Sequence, residues 1–308
     1  MSRVVFMGTP QFAVPTLEAL AEGYDIVKVV SPPDRRSGRG RRLRAPPVKE
    51  SALRLGLPVW QPRTLRTPEA VAHLRQLAPD VVIVAAYGQI LRSEVLEIPP
   101  HGCVNVHASL LPRYRGAEPV AAAILNGEAK TGITIMLMDK GMDTGPILSQ
   151  RSMPIASDDT RASLTEKLAH LGAELLLETL PRWLGREIRP QPQGEALASY
   201  APLLKKEDGE IDWARPAVVI ERMIRAYTPW PGTYTHWRGR LLKVLRARPL
   251  HQRRGRAGKV IQTSEGVAIF AGEGALLLEE VQLAGKRAMF AQDFVRGQAD
   301  FIGARLPS

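Results

Sequence analysis

Asn105 and His107 stand two residues apart in the apolar run CVNVH, and Asp143 follows in the glycine-rich stretch DKGMDTGPI. Alternate residues of a strand project to the same side, so this run would present an amide and an imidazole together. A carboxylate brought beside them completes a set suited to acyl transfer at a carbonyl. The amide and the imidazole can stabilise a developing oxyanion, while the carboxylate orients the imidazole or takes a proton. Each member also has a plainer reading. A lone histidine is often a packed core residue, and an acid between glycines is often the solvated tip of a hairpin. His107 gains weight from its place directly before the rigid turn Ser109-Leu110-Leu111-Pro112, where a strand would end, because ligands of open α/β sheets bind at such ends. For Asp143, spacing alone favours the hairpin reading.

The elements that must position these groups alternate short apolar runs with helical patterns, which predicts a parallel sheet with crossover helices. Strands are expected at Val4–Gly8, Ile26–Ser31, Pro58–Trp60, Asp80–Gly88 and Gly102–His107. A further pair, Thr131–Met138 and Ile147–Met153, is joined by the loop that carries Asp143. Helices are expected over Phe12–Ala21, Val48–Leu55 and Glu69–Leu77, and a long one from Thr160 to about Leu180, capped by Asp158 or Asp159 and closed near Pro181. The turn GTPQFA after the first strand keeps only Gly8 of a dinucleotide fingerprint, so it reads as a tight turn and no NAD is inferred. Residues 189–204 are polar, proline-bearing and aperiodic, and read as a linker between a domain at 1–188 and another at 205–308. Past it, a helix at Ala214–Ala226 precedes short alternating segments separated by glycines, the pattern of a small barrel or sandwich.

Composition narrows the partners. Cys103 is the single cysteine, so neither an intrachain disulfide nor a cysteine-built zinc site can form, and the thiol reads as core filling. The six histidines are scattered without HExxH or acid-cluster spacing, so no metal is expected. No apolar run is long enough to span a bilayer, and MSRVVFMGTP reads as a core strand, which points to a cytoplasmic protein. The net charge of +11 calls for an anionic partner. Its excess is concentrated in two places. Arg35, Arg36, Arg39, Arg41, Arg42, Arg44 and Lys49 face Asp34 alone in a proline- and glycine-bearing loop, and the stretch from Lys205 onward holds 18 Lys and Arg against 11 Asp and Glu. Arginine forks suit phosphate, so a nucleic acid is the better explanation of the two regions together. PRYRGAEP, with Arg113, Arg115 and Glu118, is either a solvated loop or a holder of an anionic substrate.

These residues resemble the folate-dependent formyltransferases, and within them the branch that acts on aminoacyl-tRNA. The likeness rests on Asn105, His107, Ser109–Pro112, Arg115, Gly116 and Asp143–Gly145, and extends through GTPQFA, PDR…GRG…PPVK, AAYGQIL, TGITIM and IRAYTPWPGTY. It implies a Rossmann-like, mostly parallel sheet domain followed by a small oligonucleotide-binding-type (OB-like) β-barrel that helps hold tRNA. It also implies that Asn105, His107 and Asp143 are catalytic and that Ser109, Leu110, Leu111 and Pro112 contact the folate. Arg39, Arg41 and Arg42 would meet the tRNA acceptor end. The implied reaction moves the formyl group of 10-formyltetrahydrofolate to the α-amino group of methionine on initiator tRNA, carried out by a monomer without a metal. Ala108 stands where some relatives carry glycine. The rival enzymes on the same site are a sugar-nucleotide N-formyltransferase and a formyltetrahydrofolate hydrolase, which need no such basic loop. A non-enzymatic rival, an RNA-binding module on a dead transferase fold, is opposed by the intact trio.

Overall fold

Val4, Val5, Phe6 and Met7 have no solvent exposure, as a strand covered on both faces requires. The computed structural model describes residues 1–37, 42–250 and 255–308. The chain divides into two compact units that interleave in sequence. One comprises Met1–Pro119, Lys130–Pro154 and Thr165–Ala201, and the other Val120–Ala129, Ile155–Leu164 and Pro202–Ser308.

The first unit carries β1 (Arg3–Gly8), β2 (Asp25–Val30), β3 (Arg35–Ser37), β4 (Arg42–Arg44), β5 (Val59–Trp60), β6 (Val81–Ala85) and β7 (Cys103–His107). It continues with β8 (Arg115–Gly116), β9 (Lys130–Leu137), β10 (Ile147–Pro154) and β11 (Tyr200–Ala201). Among the described residues, seven of these form one sheet in the order β10-β9-β7-β6-β1-β2-β5. The run from β5 to β7 is parallel, and β9 and β10 are antiparallel at one edge. The parallel strands are linked through helices α1 (Val14–Gly23), α2 (Pro47–Arg54), α3 (Pro68–Gln76) and α4 (Ser93–Leu96). One sheet face packs Val5, Met7, Val30, Val82, Val84 and Cys103 against Leu74 of α3 and Val95 of α4. The mostly parallel α/β architecture read from the alternation is therefore present.

Four local features depart from the sequence reading. The arginine-rich stretch after β2 is more than a loop, since β3 and β4 pair as an antiparallel hairpin with Arg35 opposite Arg44. The long helix, α6, spans Arg161–Leu184 and so continues past Pro181; a proline inside a helix removes one backbone donor without always ending it. Its start is capped by Thr160, whose hydroxyl accepts from the Ser163 N–H at 3.2 Å, while Asp159 accepts from the Ala156 N–H and the Ser163 hydroxyl. Finally, residues 189–201 belong to the first unit, with β11 pairing in parallel with β8.

The second unit holds α5 residues from Val120 on (α5, Pro119–Leu125), α7 (Ala217–Ala226) and α8 (Ala291–Gly297). Its strands are β12 (Thr233–Trp237), β13 (Arg240–Leu250), β14 (Val260–Thr263), β15 (Gly266–Phe270), β16 (Ala275–Leu283) and β17 (Met289–Phe290). They form an antiparallel sheet ordered β12-β13-β16-β15-β14, with β17 beside β16. β12 and β14 are its end strands, so the described ladder does not close into the barrel expected from the sequence. Ile220 and Ile224 of α7 pack with Leu242, Val244, Leu276 and Val281 of the sheet. Trp237, Phe294 and Phe301 meet edge to face at 5.2–5.6 Å between centroids, an arrangement the ring quadrupoles favour.

Candidate active site

β7 lies between parallel β6 and antiparallel β9, with Asn105 beside Val84 on one side and Met136 on the other. His107 closes the strand opposite Thr134. Both polar side chains are nine-tenths or more buried, a costly placement for groups without a task. His107 is pinned from two sides. Its Nε2 lies 3.1 Å from the Tyr114 carbonyl oxygen, and its Nδ1 lies 3.7 Å from Asp143 Oδ2. The Nε2 contact is a hydrogen bond, whereas the Nδ1–Oδ2 distance is that of an ion pair only. The Asn105 amide makes no hydrogen bond to another side chain or backbone group among the described residues, which leaves its donors for a ligand.

Asp143 arrives from the loop between β9 and β10. Its backbone adopts φ +53°, a region that residues other than glycine seldom occupy. The carboxylate accepts at Oδ2 from the Gly116 N–H at 2.8 Å. Gly116 is itself constrained: its φ is +111°, and a Cβ there would lie 2.7 Å from the Ala201 carbonyl oxygen. Only glycine lets that N–H reach the carboxylate.

The turn Ser109–Pro112 follows the histidine. Ser109 and Leu111 are buried, and the Ser109 hydroxyl donates to the Arg113 carbonyl at 2.6 Å. Leu110 and Pro112 are the half-buried members. Thr134, fully buried, anchors the turn: its hydroxyl donates to the Ser109 carbonyl at 2.7 Å and accepts from the Leu111 N–H and from Gln150 Nε2. A depression of about 420 Å³ is lined by Ile90, Leu91 and Arg92 from the loop after β6, by Ser93 and Glu94 of α4, and by Lys140 from the loop after β9. At the end of β1, a Cβ on Gly8 would fall 2.8 Å from the Phe6 ring and 2.9 Å from Ala13 Cβ. Close packing therefore accounts for that glycine.

Several sequence readings are redirected here. Arg115 has no solvent exposure; its guanidinium grips both oxygens of Glu195 at 2.8 and 3.0 Å and the Gln193 amide oxygen at 3.0 and 3.1 Å. It is engaged internally and does not present itself to an anionic substrate. The same pairing holds the Glu195 carboxyl below the usual carboxylate range and raises the Arg115 guanidinium. Arg39 and Arg41 lie outside the described residues, and Arg42 opens β4. Cys103 is buried within the core, and burial pushes its thiol up to about 12. Among the described residues there is no cluster of His, Cys, Asp and Glu fit for a metal ion.

Sequence reasoning missed the segment that frames the site. Gln191 bridges Ile147 in both directions, Gln193 donates to the Asp143 and Gly145 carbonyls, and Glu195 holds Arg115. Further on, the Ser199 hydroxyl accepts from the Tyr114 N–H, and the Ala201 carbonyl accepts from Ala117. The only signal was the pair Gln193 and Glu195, two apart, whose side chains both reach inward, while Gln191 pairs through its backbone.

A profile described as formyl transferase matches residues 2–180, and one described as formyl transferase, C-terminal domain, matches residues 203–299. The chain belongs to the formyl transferase family. A family member from Roseiflexus castenholzii, named methionyl-tRNA formyltransferase, is 54% identical over 99% of this chain and 98% of its own. Another of that name from Myxococcus xanthus is 51% identical over 96% and 95%. Among solved structures, the sugar 3N-formyl transferase WlaRD superposes with TM-score 0.68 at 19% identity, covering 93% of this chain and 99% of that one. HypX from Aquifex aeolicus, in complex with tetrahydrofolic acid, does so with TM-score 0.62 at 19% identity, over 97% and 47%. At that identity the two structures speak for the formyl transferase fold alone.

Proposed function

We propose that this chain transfers the formyl group of 10-formyltetrahydrofolate to the α-amino group of methionine on initiator tRNA, giving N-formylmethionyl-tRNA for translation initiation. One observation carries the reading: about half of all residues match relatives named for that activity along the whole chain, with Asn105, His107 and Asp143 intact. In the reaction the amine adds to the formyl carbon, and an oxyanion develops on the former carbonyl oxygen; its collapse breaks the bond from that carbon to N10 of the folate, which takes up a proton and leaves as tetrahydrofolate. Asn105 supplies an uncommitted amide donor. His107 has Nε2 held by the Tyr114 carbonyl, while Nδ1, 3.7 Å from Asp143 Oδ2, is beyond hydrogen-bond range of it and can turn its N–H to the reacting oxygen. Asp143 sits within ion-pair range to sustain the charged ring and to draw off the amine proton.

The depression at Ile90–Glu94 and Lys140 mixes apolar and polar groups, a lining suited to a flat ring with polar edges. We assign the folate there, with Ser109, Leu110, Leu111 and Pro112 as the turn that contacts it. The arginines at 39, 41 and 42 meet the tRNA. Residues 205–308, as an OB-like module, hold the tRNA further along, and the enzyme works as a cytoplasmic monomer. Among the described residues no helix is long and apolar enough to cross a membrane. Incubation with 10-formyltetrahydrofolate and methionyl-tRNA should yield formylated tRNA, and an amino-sugar nucleotide should stay unmodified. Formylation of the sugar alone would reverse the assignment.

A further inference from the structure

We infer that Gln193 is a positioning residue for the catalytic carboxylate, holding the Asp143 loop so that Oδ2 stays within range of His107; this rests on the formyl-transfer reading of the site. Asp143 sits at φ +53°. Such a conformation persists only where the surroundings over-determine it. The Gln193 amide does so. Its nitrogen donates at 2.8 Å to the Asp143 carbonyl and at 2.8 Å to the Gly145 carbonyl, spanning the strained peptide units. Its oxygen accepts from Arg115 Nε at 3.1 Å and Nη2 at 3.0 Å.

The orientation of the amide is fixed by chemistry, since guanidinium offers only donors and the two carbonyls only accept. Arg115 is fully buried and held in turn by Glu195. It is followed in sequence by Gly116, whose N–H binds Asp143 Oδ2. A single side chain thus ties the backbone of the carboxylate loop to the segment that grips the carboxylate itself. The Nδ1–Oδ2 separation of 3.7 Å depends on both attachments. Gln193 touches no reacting atom in this arrangement; it acts through Asp143.

Gln193→Glu tests the idea with little change of shape. The carboxylate still pairs with Arg115, but it confronts two carbonyl oxygens with another acceptor. Gln193→Met removes both sets of hydrogen bonds at similar volume and serves if the first variant does not fold. In whichever variant melts as a folded protein, kcat should fall about a hundredfold, the scale of a displacement of about 1 Å. KM for methionyl-tRNA and for the folate should stay near wild type, and the pH profile of kcat should move. Unchanged kcat in a folded variant overturns the inference. So does a loss of kcat with an unmoved pH profile, which would mark a merely structural role. A crystal structure of the variant reads the same placement without turnover: the Nδ1–Oδ2 separation should lengthen beyond 3.7 Å, and an unchanged separation overturns the inference. If wild-type protein formylates nothing, the functional reading fails by itself, and that distance still decides the role of Gln193.

Discussion

Residues 34–49 and residues 191–201 are both polar stretches of the first unit, yet their described side chains find different partners. In the second, the side chains of Gln193, Glu195 and Ser199 and the backbone of Gln191 and Ala201 bind the loops around Asp143 and Arg115. In the first, the described anchoring lies at the base, where Lys49 meets both oxygens of Asp34 at 2.8 Å and Gln61 joins them. That pairing holds the Asp34 carboxyl below its ordinary range. Arg35 and Arg44 lie opposite each other across the hairpin, both exposed. Like charges at facing positions of a hairpin repel, which is a poor arrangement for internal stability and a suitable one for a polyanion. Polarity alone does not reveal whether a segment is scaffold or binding surface; the partners of its side chains do.

The largest effect should appear at the groups the inner strap frames. Asn105→Ala and His107→Ala should keep the fold and lose about 2.7–4 kcal/mol of transition-state stabilisation, roughly a hundred- to a thousandfold in kcat. Near-normal turnover in either would remove that residue from the mechanism and leave the strap framing nothing catalytic. Arg115→Met should come next. It leaves the Gln193 amide oxygen without its donors, a penalty of about 1–3 kcal/mol that thermal unfolding would register, together with lower turnover. Full stability in that variant would place residues 191–201 with the hairpin as mere surface.

At the outer segment, replacing Arg39, Arg41 and Arg42 by glutamine should leave melting temperature and folate binding alone. The slope of log affinity for tRNA against log salt should flatten by about 0.7–0.9 for each phosphate that is no longer neutralised. An unchanged slope would mean that the hairpin arginines are only solvated. The smallest effect concerns Cys103. Its thiol is raised by burial to about 12 and stays neutral in the fold, whereas an unfolded cysteine ionises near 9. A raised acid of this kind contributes stability that is complete below the unfolded value and is lost as pH climbs toward the folded one. Resistance to unfolding should therefore decline between pH about 9 and about 12, with alkylation of native protein negligible at pH 8. Rapid labelling at that pH would deny the burial.

How far the sequence can be read differs from residue to residue. The run VVFM reads as a buried strand because nothing polar interrupts it, and Asn105 and His107 fall on one strand because a period of two leaves no other choice. The strap at 191–201 stays hidden because its hydrogen bonds join residues 48 and 50 positions apart, as from Gln193 to Gly145 and Asp143. Arg115 misleads for the same reason. In sequence it looks like any loop arginine, and its burial depends on Glu195, which lies 80 positions away.

By itself the amino-acid sequence determined the alternating α/β pattern, the separate C-terminal run of short strands, the basic bias and the three polar residues suited to acyl transfer. All of these follow from local periodicity and side-chain chemistry. The tertiary structure alone decided which nitrogen of His107 faces Asp143, why Gly116 must be glycine, and that an apparent linker is a strap around the site. Those outcomes depend on hydrogen bonds between distant segments, whose geometry no local pattern encodes.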